Sequence, residues 1–200
     1  MLMDIDKPDD KETTGPEGET REQLRKYFDE NRRLVMNEIF HRVSIRKYAD
    51  KPIENEIILK ILKAGMQAPS AGNQQPWEFY VVTNKEKIQA LAAAHQYAGC
   101  AAGAPVLIVS VYRKEGLWVP EYAQIDMAIA QQNIWLETDS LGLGGVWLGI
   151  APQQERMDKV AEILALPDNL EAFSIFALGY PAEQREQQDR YDESRIHFVE

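Results

Sequence analysis

The segment "APVLIVSVY", Ala104 to Tyr112, constrains the fold most. It is an almost unbroken apolar run rich in β-branched residues, and it is far shorter than the ~20 residues a membrane-spanning helix needs. Such a run is expected of a strand buried on both faces. The rest of the chain must then cover a sheet from two sides. Helical and extended patterns alternate as that requires. "ENEIILKILKAGMQ" is an amphipathic helix stopped by Pro69, and "WEFYVVT" is a strand rich in aromatic and β-branched residues. Asn84 is placed to cap a helix from Lys85 to about His95, and Glu121 to Ser140 reads as a long helix. "GGVWLGI" is a short strand or turn, "QQERMDKVAEIL" a helix and "LEAFSIFALGY" a strand. The tail from Pro181 onward is polar and has no core pattern. The alternation predicts one α/β or α+β domain.

Ahead of this domain, Met1 to about Thr20 is acidic and turn-rich and is read as disordered or docked on something else. It lacks the basic-then-apolar order of a secretory signal. Arg21 to His41 turns helical, with Leu24, Phe28, Leu34, Val35 and Ile39 roughly on one face. The domain boundary is therefore set at 20/21. One cysteine, Cys100, excludes an intrachain disulfide and a cysteine-rich metal site. The formal charge of −10 gives no basic footprint for nucleic acid. A cytoplasmic protein without a membrane or nucleic-acid partner is expected.

Three stretches carry candidate chemistry. In "HRVSIRKY" the period is two, so Arg42, Ser44 and Arg46 share one face, opposite Val43 and Ile45. Two guanidinium forks flanking a hydroxyl suit a phosphate, or they are ordinary charges on a solvent-facing strand edge. In "LGLGGVWLGI", Gly142, Gly144, Gly145 and Gly149 permit close backbone approach by a ligand. A helix cap followed by a tight turn explains Gly142 as well and Gly149 less well. Trp147 stands where a dinucleotide fingerprint would need a further glycine. In "APSAGNQQPWEF", Pro69, Ser70, Ala71, Gly72, Asn73 and the two glutamines form a loop crowded with amides. These can read the edge of a planar heterocycle, or they can satisfy the loop's own backbone. His41, His95 and His197 have no metal-ligand spacing, and Asp126 is read as a capping or local-pairing group. Trp135 and Trp147 are read as core. No triad or carboxylate pair stands out, so no catalytic side chain and no metal are expected.

Taken in order, "RVSIRKY", "APSAGNQQPWEF", "APVLIVSV", "QNIWLETDSLGLGGVWLGI", "FALGYP" and "RYDESRIHF" resemble the nitroreductase family of flavoproteins over roughly residues 36–198. The resemblance implies an α+β fold with a central mixed sheet flanked by helices, in an intertwined homodimer with FMN at the subunit interface. It implies that Arg42, Val43, Ser44 and Arg46 meet the phosphate, ribityl chain and ring edge, with Arg195 as a further phosphate contact. Pro69, Ser70, Ala71 and Asn73 would come from the other subunit, leaving the loop's polar groups unsatisfied within their own chain. Leu148 and Gly149 would pass near the ring, with a backbone N–H aimed at N5. Glu193 stands where some members carry a lysine, so phosphate neutralisation leans on the arginines. No long insertion follows "SVY", which implies an open pocket.

The resemblance thus implies an FMN-dependent oxidoreductase. NADH or NADPH would be the donor, and a small electron-poor acceptor such as a nitroaromatic or quinone would take the electrons. Two rival readings differ in testable ways: a flavin-binding or redox-sensing protein without turnover, and a relative that fragments flavin or removes a halide.

Overall fold

The structure, a computed structural model, describes residues 37–199. The readings for residues 1–20, and most of the helix from Arg21, lie outside them. In chain order come α1 (Asn37–His41), α2 (Asn55–Met66), β1 (Trp77–Val82), α3 (Lys85–Ala92) and β2 (Val106–Arg113). Then follow α4 (Ala123–Ser140), β3 (Gly144–Gly149), α5 (Gln154–Leu164) and β4 (Leu170–Gly179). Short 3-10 turns cover Ala71–Asn73, Gly99–Gly103, Pro120–Tyr122 and Glu193–Arg195.

The apolar run becomes β2, and it is buried as its composition requires. The sheet order is β1-β2-β4-β3, so β2 and β4 are central and β3 is an edge. Alternate residues of β2 divide between two cores. Leu107, Val109 and Val111 join one with Ile88 and Leu91 of α3 and Met157 and Val160 of α5. Val106 and Ile108 join the other with Ile58 and Ile61 of α2. α4 serves both, Met127 and Ala130 packing in the first and Ile134 in the second. This helices-plus-sheet architecture is the expected α+β class. All three strand pairs are antiparallel, however. Among the described residues the expected mixed character survives only as the parallel bridge Ser44–Gly145. Segment 42–48 crosses from β3 to the continuation of β4, where Tyr48 bridges Pro181, and does not form a full strand.

The element ends show local chemistry at work. Asn84 Oδ1 accepts from the Lys87 N–H at 2.9 Å, the predicted cap. α3 stops at Ala92, short of the expected His95, and in the turn beyond it the His95 ring nitrogen Nδ1 accepts from the Tyr97 N–H. α4 begins at Ala123, since Pro120 opens a 3-10 turn first. It closes with paired bonds, Gly142 N–H to Asp139 O at 2.9 Å and Leu143 N–H to Thr138 O at 3.0 Å, with Gly142 at φ 73°.

α5 closes by the same bond pattern, Ala165 N–H to Glu162 O and Leu166 N–H to Ala161 O. Here an exposed alanine, not a glycine, holds φ 52°. A Cβ in the left-handed region is strained. Ala165→Gly should therefore raise the unfolding free energy by about 0.5–1 kcal/mol, read as a higher urea midpoint at unchanged slope.

Candidate functional site at the β3 edge

The antiparallel ladder decides which peptide groups of β3 are free. Residues of such a pair alternate between bonding their partner and facing away. Ile150 N–H bonds Phe173 O at 3.3 Å, which puts Leu148 and Val146 in the β4-facing set. Gly145, Trp147 and Gly149 therefore turn their N–H and C=O outward. Gly145 shows it directly, since its carbonyl accepts the Ile45 N–H at 3.0 Å. Gly149 O accepts from Arg156 Nη1 at 3.3 Å. The Gly149 N–H faces the same outer edge.

The glycines along this edge have different reasons to be glycine. A Cβ at Gly144 would stand 2.6 Å from Ile45 Cγ1, and one at Gly145 would stand 2.3 Å from Phe176 Cζ. Both are required by packing of this chain. A Cβ at Gly149 would meet nothing within 4 Å, and its φ is not in the left-handed region. Gly149 is exposed, while Leu148 beside it is buried. The described residues leave that space open.

About 13 Å back along β3, at the Ser44–Gly145 bridge, the basic groups gather. Arg42, Val43, Ser44 and Arg46 line a recess together with Arg185, Arg190 and one carboxylate, Glu186, of the tail. The Arg42 guanidinium lies 3.9 Å from the Trp135 ring centre, a cation–π contact that fixes its plane. Its carbonyl accepts from Gln187 Nε2 at 3.0 Å. Burial, then Arg190, pushes its pKa down, yet a guanidinium stays charged at neutral pH. The Arg46 backbone is held by Glu183, whose Oε1 accepts the N–H groups of Arg46 and Lys47 at 2.6 and 3.2 Å. The Arg46 N–H bond above all keeps the Glu183 carboxyl below its usual range. Glu183 and Arg185 carry no signal in the sequence, and Arg190, although it opens the "RYDESRIHF" stretch, is assigned no contact there. Arg195 is not among the lining residues. It is 82% exposed and pairs with Asp192 Oδ2 at 2.9 Å.

The loop at residues 69–75 corrects an expectation. Its polar groups are largely satisfied within the chain. Asp126 of α4, only 2% exposed, accepts from Ala71 N–H at 2.9 Å and Gln74 Nε2 at 2.6 Å. Gln74 also exchanges two bonds with the Val119 backbone. Ser70 Oγ accepts the Gln75 N–H, and Asn73 Oδ1 accepts from Gln75 Nε2. Arg113 Nη2 caps the carbonyls of Gln74 and Gln75 at 3.0 Å each. What this holds in place is strained backbone. Gly72 and Asn73 sit at φ 54° and Gln75 at φ 46°. Left-handed non-glycine residues in exposed loops persist where the surroundings over-determine them. Asp126 is thus a buried anchor with long-range partners.

The remaining candidates settle as follows. His41 Nδ1 meets Asp139 Oδ2 at 2.8 Å. His95 is half-buried, and burial lowers its pKa. Cys100 is a half-buried thiol that packs on the core, and burial raises its pKa. Trp135 and Trp147 pack on Phe176 and Phe173. Among the described residues no group of three or more His, Cys, Asp or Glu is placed to hold a metal ion, and no helix is long and apolar enough to cross a membrane.

Removing the anchor should be costly. Asp126→Ala leaves the Ala71 N–H and the Gln74 amide without their charged acceptor. Stability should fall by about 2–3 kcal/mol in equilibrium urea unfolding, with faster proteolysis inside residues 69–75.

Comparison with known proteins identifies the family. The nitroreductase family model matches residues 39–98 and 93–180. A Methanothermobacter thermautotrophicus protein provisionally named NADH dehydrogenase/NAD(P)H nitroreductase is 40% identical over 169 residues, covering 82% of this chain and 86% of the relative. A Clostridium acetobutylicum structure provisionally named NADH oxidase superposes with a TM-score of 0.79 at 43% identity, covering 82% of this chain and 99% of that one. A Desulfovibrio desulfuricans protein provisionally named a nitroreductase and solved in complex with FMN gives a TM-score of 0.72 at 32% identity, over 83% and 96% of the two chains. With the family model spanning most of the domain and the fold shared over four-fifths of the chain, this protein belongs to the nitroreductase family.

Proposed function

We propose that this chain binds FMN along the β3 edge and works as an NAD(P)H oxidoreductase whose acceptor is an electron-poor small molecule such as a nitroaromatic or quinone. The observation that carries the reading is Gly149. Its N–H faces a free edge, and the space a side chain would fill is open. Four residues upstream, on the same edge, stands a recess of arginines. An elongated anion with a planar, hydrogen-bond-accepting end fits that pairing. When bound, FMN supplies the redox chemistry, taking a hydride from NAD(P)H and passing electrons to the acceptor.

The chain's own residues bind and orient. Arg42 and Arg46, with the Ser44 hydroxyl and the backbone at Val43, hold the phosphate end, and Arg195 adds a charge from the tail. The Gly149 N–H donates to the ring edge, and buried Leu148 fixes the strand beneath it. No acid or base is assigned a step. In this reading Pro69, Ser70, Ala71 and Asn73 line the site of a second copy. The internal bonds of the loop support this, since they leave its strained backbone rigid and outward-facing. Apolar surface supports a homodimer as well. Leu59 and Met66 of α2, and Ile125 and Ile129 of α4, are between 36% and 55% exposed on helices that pack side by side. Exposed apolar surface of this kind marks an interaction face.

The test is ligand choice. Riboflavin offers no phosphate to the arginines. Each charge-assisted hydrogen bond contributes about 1.5–3 kcal/mol. FMN should therefore bind at least about ten-fold more tightly than riboflavin, and Arg46→Ala should weaken FMN by about the same factor, with riboflavin affinity little changed. Equal affinity for the two flavins in a fluorescence titration would sink the assignment.

A further inference from the structure

Trp118 lies outside every motif considered so far, and it is 82% exposed. The other tryptophans are different: Trp77 is buried, and Trp135 and Trp147 are half-buried against phenylalanines. An exposed indole on a mobile loop would mean little. This one is on a stretch fastened at both ends. Arg113 Nη2 grips the carbonyls of Gln74 and Gln75. Val119 exchanges two bonds with the Gln74 side chain, N–H to Oε1 at 2.9 Å and Nε2 to C=O at 3.1 Å. Gln74 is fixed in turn by buried Asp126. The indole edge then rests on Gly72. A Cβ there would stand 2.9 Å from Trp118 Cδ1 and 3.2 Å from Cγ, so the glycine makes room for the ring.

We propose that Trp118 is a specificity residue, an aromatic platform on which a planar aromatic acceptor stacks. This rests on the FMN reading above, in which the loop beneath Trp118 lines the flavin site. Three features point to stacking. The ring is carried by the loop assigned to that site, at its Gly72. It is held in advance, so little freedom is lost on binding. An indole offers a π-face to flat, electron-poor rings in offset geometry, and 82% exposure leaves this one accessible. The net charge of −10 further favours uncharged acceptors over anionic ones. Neutral quinones and nitroarenes meet both conditions, whereas compact inorganic ions meet neither.

The experiment compares FMN-loaded wild type, Trp118→Ala and Trp118→Phe in steady-state NADH oxidation. Menadione is the planar acceptor and ferricyanide the non-planar one. Trp118→Ala should raise the KM for menadione about ten-fold and shift the KM for ferricyanide by less than about two-fold. Trp118→Phe, which keeps a π-face, should recover most of the loss. FMN content, read from visible absorbance, should match wild type in both variants. A menadione KM within two-fold of wild type in the alanine variant overturns the proposal. So does a parallel rise for both acceptors, or a loss of bound FMN, since either marks a structural role. A wild-type protein that takes up no FMN overturns the flavin reading itself, and it is recognised before any variant is compared.

Discussion

The open edge of β3 is the constraint on which the site depends. Two strands, β2 and β4, are apolar on both faces and must lie in the middle of the sheet. That places β3 at the rim, where half of its peptide groups have no strand to bond. Segment 42–46 takes only one position, at Gly145, before crossing to β4. Among the described residues the crossing leaves the outward N–H of Gly149 without a partner, and it sets the two arginines at one end of the same edge. The proposed binding edge is thus a by-product of how the core is covered. In the proposed reading the bound ring supplies the redox chemistry and the edge holds it.

The second support is the carboxylate of Asp126. α4 is packed by both cores, so a charge on it is expensive to bury unless it is hydrogen-bonded. Asp126 meets that condition with a backbone N–H and an amide from the loop at residues 69–75. One buried acceptor therefore couples the most central helix to the most strained loop, and through Gln74 to the strand-to-helix stretch that carries Trp118. A change at any of these positions should be felt at the others, because they share one acceptor.

Much of this frame is legible in the sequence where the signal is local. The apolar run gives β2, the "LEAFSIFALGY" pattern gives β4, Asn84 marks a helix start and Gly142 a helix end. Each depends on residues within a few positions of one another. The pairings that build the site do not. Asp126 reaches Gln74 across 52 residues and Glu183 reaches Arg46 across 137. Neither leaves a period or a cap signature. Arg185 and Arg190 belong to a tail with no core pattern, so nothing marked them as neighbours of Arg42. The Gln74 amide looked available for a partner because Asp126 and Val119, which bond it, are distant in sequence. Strand direction is no more legible: the three described strand pairs are antiparallel and the mixed character rests on the Ser44–Gly145 bridge, because direction is set by connections and packing rather than by composition.

In the proposed reading the Gly149 N–H serves the bound ring. Gly149→Pro deletes that N–H without removing a ladder bond to β4, and it leaves the arginine recess untouched. Rapid mixing of the FMN-loaded variant with NADH should show flavin bleaching slowed by ten-fold or more, about the loss of one hydrogen bond to a developing charge, with FMN affinity weakened by less than that factor. A folded, FMN-loaded variant that bleaches at the wild-type rate would contradict the placement of Gly149 beside the ring.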